Sequence, residues 1–258
     1  MNFRSFIWFL GRPALYPEFF RRLGWSLTTP RTLRSYREQQ KILSAEWCAG
    51  TATAREDFLR EIGFQGECAP VQALYPDIWR RAAEITTACP VRMGGAGEVD
   101  LLYHLCLHLR AERVVETGVA HGWSSLVILL ALEKMGKGTL VSSDMPYALR
   151  RNDRYVGCTV PENLRRRWKL VRLPDRDVLP KALREWPSID LAHYDSDKSE
   201  RGRAWGYGRL WSALRPGGFL VSDDIHDNLA FRVFAAKTGR KPWVLPTRGG
   251  AYIGILRK

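Results

Sequence analysis

Residues 113–125 read RVVETGVAHGWSS, and the fold of the chain turns on this stretch. A short apolar run, Arg113–Glu116, has the length and β-branched content of a buried strand. Two glycines follow, Gly118 and Gly122, where the backbone can bend tightly and approach a ligand closely. Ser124 then stands where a helix would begin, placed to cap free N–H groups that would face that ligand. The spacing is Gly-x-x-x-Gly with Glu116 just before it, so the GxGxxG dinucleotide fingerprint does not apply.

Outward from this stretch the texture alternates. Downstream, the pattern predicts strands at 139–142, 169–173, 189–194, 219–222, 243–245 and 251–256. Helices are predicted between them at 125–134, from about 178, at 200–214 and after Asp227. Thr159 and Glu162 have capping-box spacing and predict a short helix to Arg167. Alternation of this kind argues a mostly parallel sheet covered on both faces, with ligands at the carboxyl ends of the strands. Upstream, residues 1–96 read as helices broken by Pro and Gly, at 17–23, 31–47, 54–62 and 77–87. CPVRMGGAGE, residues 89–98, reads as a linker into the second region. The expected division is therefore a helical segment 1–96, acting as a lid or oligomer contact, and an α/β domain 97–258.

Two later stretches sharpen the site. LVSSDMP, residues 140–146, ends the second strand in Asp144, placed to accept hydrogen bonds from ribose hydroxyls, with a helix cap as the rival role. RPGGFLVSDDIHDN, residues 215–228, ends an apolar run in two adjacent acids, Asp223 and Asp224. Like charges at a strand end repel and are partly desolvated, so something must offset them.

With RVVETGVAHGWSS, LVSSDMP, IDLAHYDSDKSERGR (189–203) and LRPGGFLVSDDI (214–225), the region from about 97 resembles the class I S-adenosylmethionine-dependent methyltransferases. It is especially similar to the macrocin- and novobiocin-type sugar O-methyltransferases. The resemblance implies a Rossmann-like seven-stranded sheet with its final strand antiparallel. It implies that Glu116, Gly118, Gly122 and Asp144 contact the cofactor, with Asp175 near the adenine. In the implied strand order the fourth strand lies beside the fifth, so Asp195 would face Asp223 and Asp224 about 5 Å away. Such carboxylates call for a cation, and Mg²⁺ with oxygen ligands answers the need while leaving positions for substrate hydroxyls. The resemblance gives the general base as Asp197, with His226 and His193 as rivals. Lys198 departs from the wider family, where His is frequent; a protonated lysine cannot ligate a metal but can pair with a substrate anion.

Composition bounds the partners. The 258 residues are 45% hydrophobic, enough for a sizeable core, and carry a net charge of +13, which favours anionic partners. Eleven Lys/Arg against four acids fall between residues 150 and 184, and Arg150, Arg151 and Arg154 follow the Asp144 loop. An RNA or DNA methyltransferase would fit the charge. The chain has, however, neither the Asn/Asp-Pro-Pro-aromatic tetrapeptide of amine methylation nor a Pro-Cys nucleophile. A non-catalytic cofactor-binding scaffold or membrane-surface module is the alternative from another class. The five cysteines include no CxxC pair, which argues against a disulfide framework or zinc site and for a reducing, cytoplasmic setting. The apolar run 6–10 is too short to span a bilayer; residues 1–25 could instead lie on the inner membrane surface. The expected activity is transfer of a methyl group to a hydroxyl of a small molecule, a sugar, glycoside or other polyol, anionic in one version. A homo-oligomer is compatible with the helical segment.

Overall fold

A computed structural model describes the backbone of residues 3–28, 33–148 and 152–258, and the side chains of residues 3–6, 26–28, 33 and 34 are not described. Arg150 and Arg151 lie outside the described residues. Among the described residues the chain opens with seven α-helices: α1 (Phe3–Leu10), α2 (Tyr16–Thr28), α3 (Leu33–Thr51), α4 (Arg55–Glu61), α5 (Val71–Leu74), α6 (Pro76–Ala88) and α7 (Asp100–Leu109). The alternating region follows as β1 (Arg113–Thr117), α8 (Trp123–Lys134), β2 (Thr139–Ser143), β3 (Trp168–Val171), α9 (Asp175–Glu185), β4 (Ile189–Tyr194), α10 (Glu200–Ala213), β5 (Leu214–Ser222), α11 (Ala230–Thr238), β6 (Trp243–Pro246) and β7 (Tyr252–Arg257).

The seven strands form one sheet in the order β3-β2-β1-β4-β5-β7-β6. β7 runs antiparallel to both its neighbours, β5 and β6, and the other pairings are parallel. Strand content explains the burial: Val114 and Val115 of β1 and Leu191 and Ala192 of β4 are all at 0% exposure, as parallel strands covered on both faces must be. α8 is buried almost throughout, so its sequence WSSLVILLALEK shows little amphipathic contrast.

The helical N-terminal region shares this core. Phe58 of α4 is fully buried and packs edge-on against Phe219 of β5 and Trp243 of β6. Ala52 forms a β-bridge with Val244, and Thr53 N–H donates to the Val244 carbonyl. Ser44 of α3 donates to the carbonyls of Ile225 and Asn228, at 2.9 Å each, beyond the end of β5. α2 lies across the strand ends, joined to α1 through Phe9, Leu15 and Phe19.

Two local expectations are corrected. Residues Glu162–Arg167 form a 3-10 helix, and Thr159 does not cap it: its hydroxyl donates to the His121 carbonyl at 2.9 Å, tying the loop to the glycine turn. α8 begins at Trp123 with Gly122 as its N-cap, so Ser124 sits inside the first turn and makes no cap.

Candidate active site

Parallel strands that all end on one edge deliver their following residues to one place, and the acids of this chain are concentrated there. Gly118 follows β1, Asp144 follows β2, Asp195 follows β4, and Asp175 opens α9. All four line a single cavity of about 470 Å³, together with Tyr194, Ser196, Asp197 and Lys198. Its roof is α2, through Glu18, Arg21, Arg22 and Trp25. The volume falls in the range of small-molecule sites. A wider groove of about 1060 Å³ along α5 and α6 touches none of the strand-end residues.

The glycine turn is braced from within. Gly118 has φ +81°, and a Cβ there would collide with the Asp195 carbonyl. Asp144 Oδ2 accepts the Val119 and Ala120 N–H groups at 2.9 and 3.1 Å. Its Oδ1 is held by Arg172, which also reaches Asp153 at 2.9 Å. Burial lifts the Asp144 pKa, against the pull of these donors. Asp144 therefore both walls the cavity and shapes the turn. Asp175 accepts from Ser143 at 2.7 Å and from Ser196, and burial pushes it up to about 6.

Other expected cofactor residues lie elsewhere. Glu116 does not face the cavity; it is fully buried, accepting from Ser125 at 2.5 Å and Ser142 at 2.7 Å, with His193 Nδ1 at 3.3 Å. The reason is strand alternation: Glu116 and Thr117 project to opposite faces of β1, and the Glu116 side is sealed by α8. Gly122 has φ +96° and turns toward the protein itself; a Cβ there would lie 2.9 Å from Gly157 Cα. Ser124 lines a pinhole of about 20 Å³ beside His193 and Asp223 instead.

The acidic cluster forms, and its counter-charge is internal. Lys198 Nζ lies 3.0 Å from Asp195 Oδ1 and pairs with Asp224 Oδ2. Burial alone would lower the Lys198 pKa, but Asp195 and Asp224 reverse this and hold the ammonium charged. Asp195 is pushed up to about 6, by burial first and then by Asp223. Asp223 turns to His193, whose Nε2 is 3.9 Å from Asp223 Oδ2. His193 is thus a buried cation between Glu116 and Asp223; burial opposes the charge, yet the two carboxylates raise its pKa to about 10. Burial works to raise the Asp223 pKa, but the His193 cation, with Lys198, holds it below the usual carboxylate range. Among the described residues no group of three or more His, Cys, Asp or Glu side chains is arranged to hold a metal ion.

Of the two catalytic candidates, Asp197 is a cavity residue: its Oδ1 accepts the Ser199 N–H at 3.1 Å. His226 is not among the lining residues; it stands by Tyr252, its Nε2 3.8 Å from Asp227. One positioning residue escaped the sequence reading. Arg203 is fully buried, donating to the Asp224 carbonyl at 2.8 Å, the Lys198 carbonyl at 3.3 Å and the Tyr207 hydroxyl at 2.9 Å. It clamps the loops that carry Lys198 and Asp224, the latter at φ +51°. Its signal was the spacing Lys198-x4-Arg203, one helical turn into α10 from the acid-rich loop.

The basic stretch is largely absorbed by the protein. Arg166 and Arg167 pair with Glu133, Arg165 with Glu162 and Lys169 with Glu185. Trp168 donates to Ser142 at 2.8 Å, and Trp211 packs on Phe234. Arg176 differs: its guanidinium lies 5.5 and 4.6 Å from the ring centroids of Trp25 and Trp205, and it lines the cavity. It has no carboxylate partner among the described residues.

Comparison with known proteins agrees with this geometry. Residues 115–225 match the family model described as a methyltransferase domain. A putative O-methyltransferase from Klebsiella pneumoniae has a similar structure: TM-score 0.56, 16% identity, covering 83% of this chain and 98% of its own. The O-methyltransferase TomG from Streptomyces achromogenes, solved with SAM, gives 0.52 at 18% identity, covering 70% and 89%. CalS11, a TDP-rhamnose 3'-O-methyltransferase of calicheamicin biosynthesis, gives 0.50 at 17%, covering 76% and 97%. No curated protein matches the chain. The matched domain spans residues 115–225, and the solved structures share the fold.

Proposed function

We propose that the chain is an O-methyltransferase acting on a hydroxyl of a small molecule, with the acceptor and the sulfonium cofactor meeting in the cavity beneath α2. The observation that carries this reading is the convergence of Asp144, Asp175, Asp195, Asp197 and Lys198 on that cavity, at the carboxyl ends of the strands. S-adenosylmethionine, when bound, supplies an electrophilic methyl group. The carboxylates of the wall favour its positive charge. Lys198, cationic and fixed by Asp195 and Asp224, would hold and polarise the acceptor oxygen. Asp197 would take the proton as the hydroxyl is methylated. Asp195 is the rival base, because its pKa of about 6 suits proton transfer near neutrality.

Arg176 supports an anionic acceptor. A guanidinium held beside two indoles, 5.5 and 4.6 Å from their centroids, has N–H groups to offer a carboxylate or phosphate. Magnesium assistance is a separate proposal. As disposed, Asp195 and Asp224 are balanced by Lys198 and Asp223 by His193, so a divalent ion fits only if Lys198 leaves the pair. Asp195, Asp223 and Asp224 would then be its oxygen ligands. The helical roof acting as a lid also belongs here: α2 supplies four of the residues that line the cavity.

The test is transfer of labelled methyl from S-adenosylmethionine to a panel of sugars, sugar phosphates, hydroxy acids and catechols. Methyl ether formed on a hydroxyl, reduced at least tenfold in Lys198→Met and weakened selectively for anionic acceptors in Arg176→Ala, is the expected result. Label transferred only to nitrogen, carbon or RNA would overturn it.

A further inference from the structure

We infer that the cavity holds a phosphate subsite, in which Arg21 of the roof and Arg176 of the strand-end layer together take the phosphate group of a phosphorylated acceptor; this rests on the reading of the cavity as the place of methyl transfer. Both side chains line the cavity. They come from elements about 150 residues apart, α2 and the first turn of α9. Arg21 and Trp25 are spaced i and i+4 on α2 and both line the cavity, so they share a face of the helix. The Trp25 ring centroid is 5.5 Å from the Arg176 guanidinium, which places Arg21 beside Arg176. The repulsion registers on Arg176: burial first, and then the Arg21 charge, lower its pKa, with Asp197 and Glu18 opposing. Two like charges brought together at a half-buried site are a standing cost that a bound anion removes.

The acids of this side do not fill the need. Glu18 serves two guanidinium groups at once, Arg21 and, at 2.7 Å, Arg22, so α2 presents a net positive face to the cavity. Arg22 also turns to Met145 Sδ, at 3.3 Å. Asp177, on which Arg21 also acts, is not among the lining residues. Each guanidinium has more N–H groups than one carboxylate contact uses, so Arg21 keeps donors to offer. The number of donors selects the anion. A carboxylate is planar, and the fork of a single guanidinium satisfies both its oxygens. A phosphate monoester carries close to two negative charges at neutral pH, and its three oxygens point apart, so it can accept from the roof and from the strand-end layer together. Asp197, the proposed base, is felt at Arg176 as well. The phosphate and the hydroxyl to be methylated therefore sit close together, as they do on one small molecule such as a sugar phosphate.

The experiment has two arms on the full chain. Titration calorimetry compares inorganic phosphate with acetate, and label transfer from S-adenosylmethionine compares hexoses with the matching hexose phosphates. Phosphate should bind roughly tenfold or more tightly than acetate, and Arg21→Ala and Arg176→Ala should each weaken it by a similar factor. Thermal melts check that the variants are folded; Arg21→Lys and Arg176→Lys, which keep the charge and lose the fork, take their place where alanine is not tolerated. Hexose phosphates should be preferred in kcat/KM, and the preference should vanish in both variants. Equal affinity for acetate and phosphate, or phosphate binding undisturbed in both variants, would overturn the inference. Hexoses methylated as well as their phosphates would overturn it too, while leaving hydroxyl methylation standing. Label transferred to no hydroxyl, with phosphate still held through both arginines, would keep the subsite and remove the methylation reading instead.

Discussion

The Lys198 ammonium stands 3.0 Å from Asp195 Oδ1, and the same ammonium pairs with Asp224. Two strand ends that carry like charges are thereby joined by a side chain from the loop between them. Removing that charge leaves two partly buried carboxylates without their cation. Lys198→Met should lower kcat/KM by about 100-fold or more while S-adenosylmethionine affinity changes little, because the lost interaction acts on the acceptor. The acidic limb of the pH–rate profile should also move to higher pH, since Asp195, already raised to about 6, loses the partner that restrains it. Unchanged kcat/KM would remove Lys198 from the chemistry.

His193 makes a second test, of stability. A cation whose pKa is higher in the fold than in the unfolded chain adds stability below its unfolded value, here 6.5, and loses it as pH rises through about 10. Melting temperature should therefore decline from pH 7 to 10 by more in the wild type than in His193→Gln. At pH 7 the substitution should cost about 3–5 kcal/mol, because Glu116 and Asp223 remain buried and uncompensated. Denaturant unfolding measures both; equal slopes with pH would mean that His193 is neutral in the fold.

Gly118 is a backbone requirement. With φ +81° and the Asp195 carbonyl where a Cβ would stand, Gly118→Ala must push β1 and β4 apart at their ends. The expected outcome is a fall in melting temperature together with loss of cofactor binding. Gly136, also at positive φ but with nothing near its Cβ position, is the control: Gly136→Ala should be milder and leave binding intact.

The metal question has a clean readout. Mg²⁺ must displace Lys198 to reach Asp195 and Asp224, so turnover after EDTA treatment reports which cation serves the site. If Lys198 is sufficient, EDTA leaves the rate within about twofold, and Asp223→Asn is tolerated in activity more than Lys198→Met. If EDTA abolishes turnover and Mg²⁺ restores it, the three aspartates are ligands and Lys198 moves aside.

The fold was legible because its signals are local. The apolar run of β1, the glycine turn and the periodic spacing of strands and helices each state their structure within a few residues. The acidic cluster was legible too, since Asp195, Asp223 and Asp224 close their strands. Its neutralisation was not. Adjacent carboxylates alone call for a cation; that Lys198, three residues after Asp195, reaches back across the loop to them shows only in the fold. The resemblance implies a cofactor contact for Glu116; its buried partners Ser142, Ser125 and His193 are brought together by three different elements and show only in the fold. Arg203 was invisible for the same reason, its partners being carbonyls that exist only in the folded loops. A helical lid is among the expectations from sequence, but that α2 forms the roof is not legible there, because α2 meets the strand ends only in the folded chain.

The proposed chemistry requires that the sulfonium cofactor bind in the cavity beneath α2. Titration calorimetry of the full chain with S-adenosylmethionine should give saturable binding of one molecule per chain, on the order of micromolar, undisturbed by EDTA. No saturable heat at millimolar cofactor would contradict it.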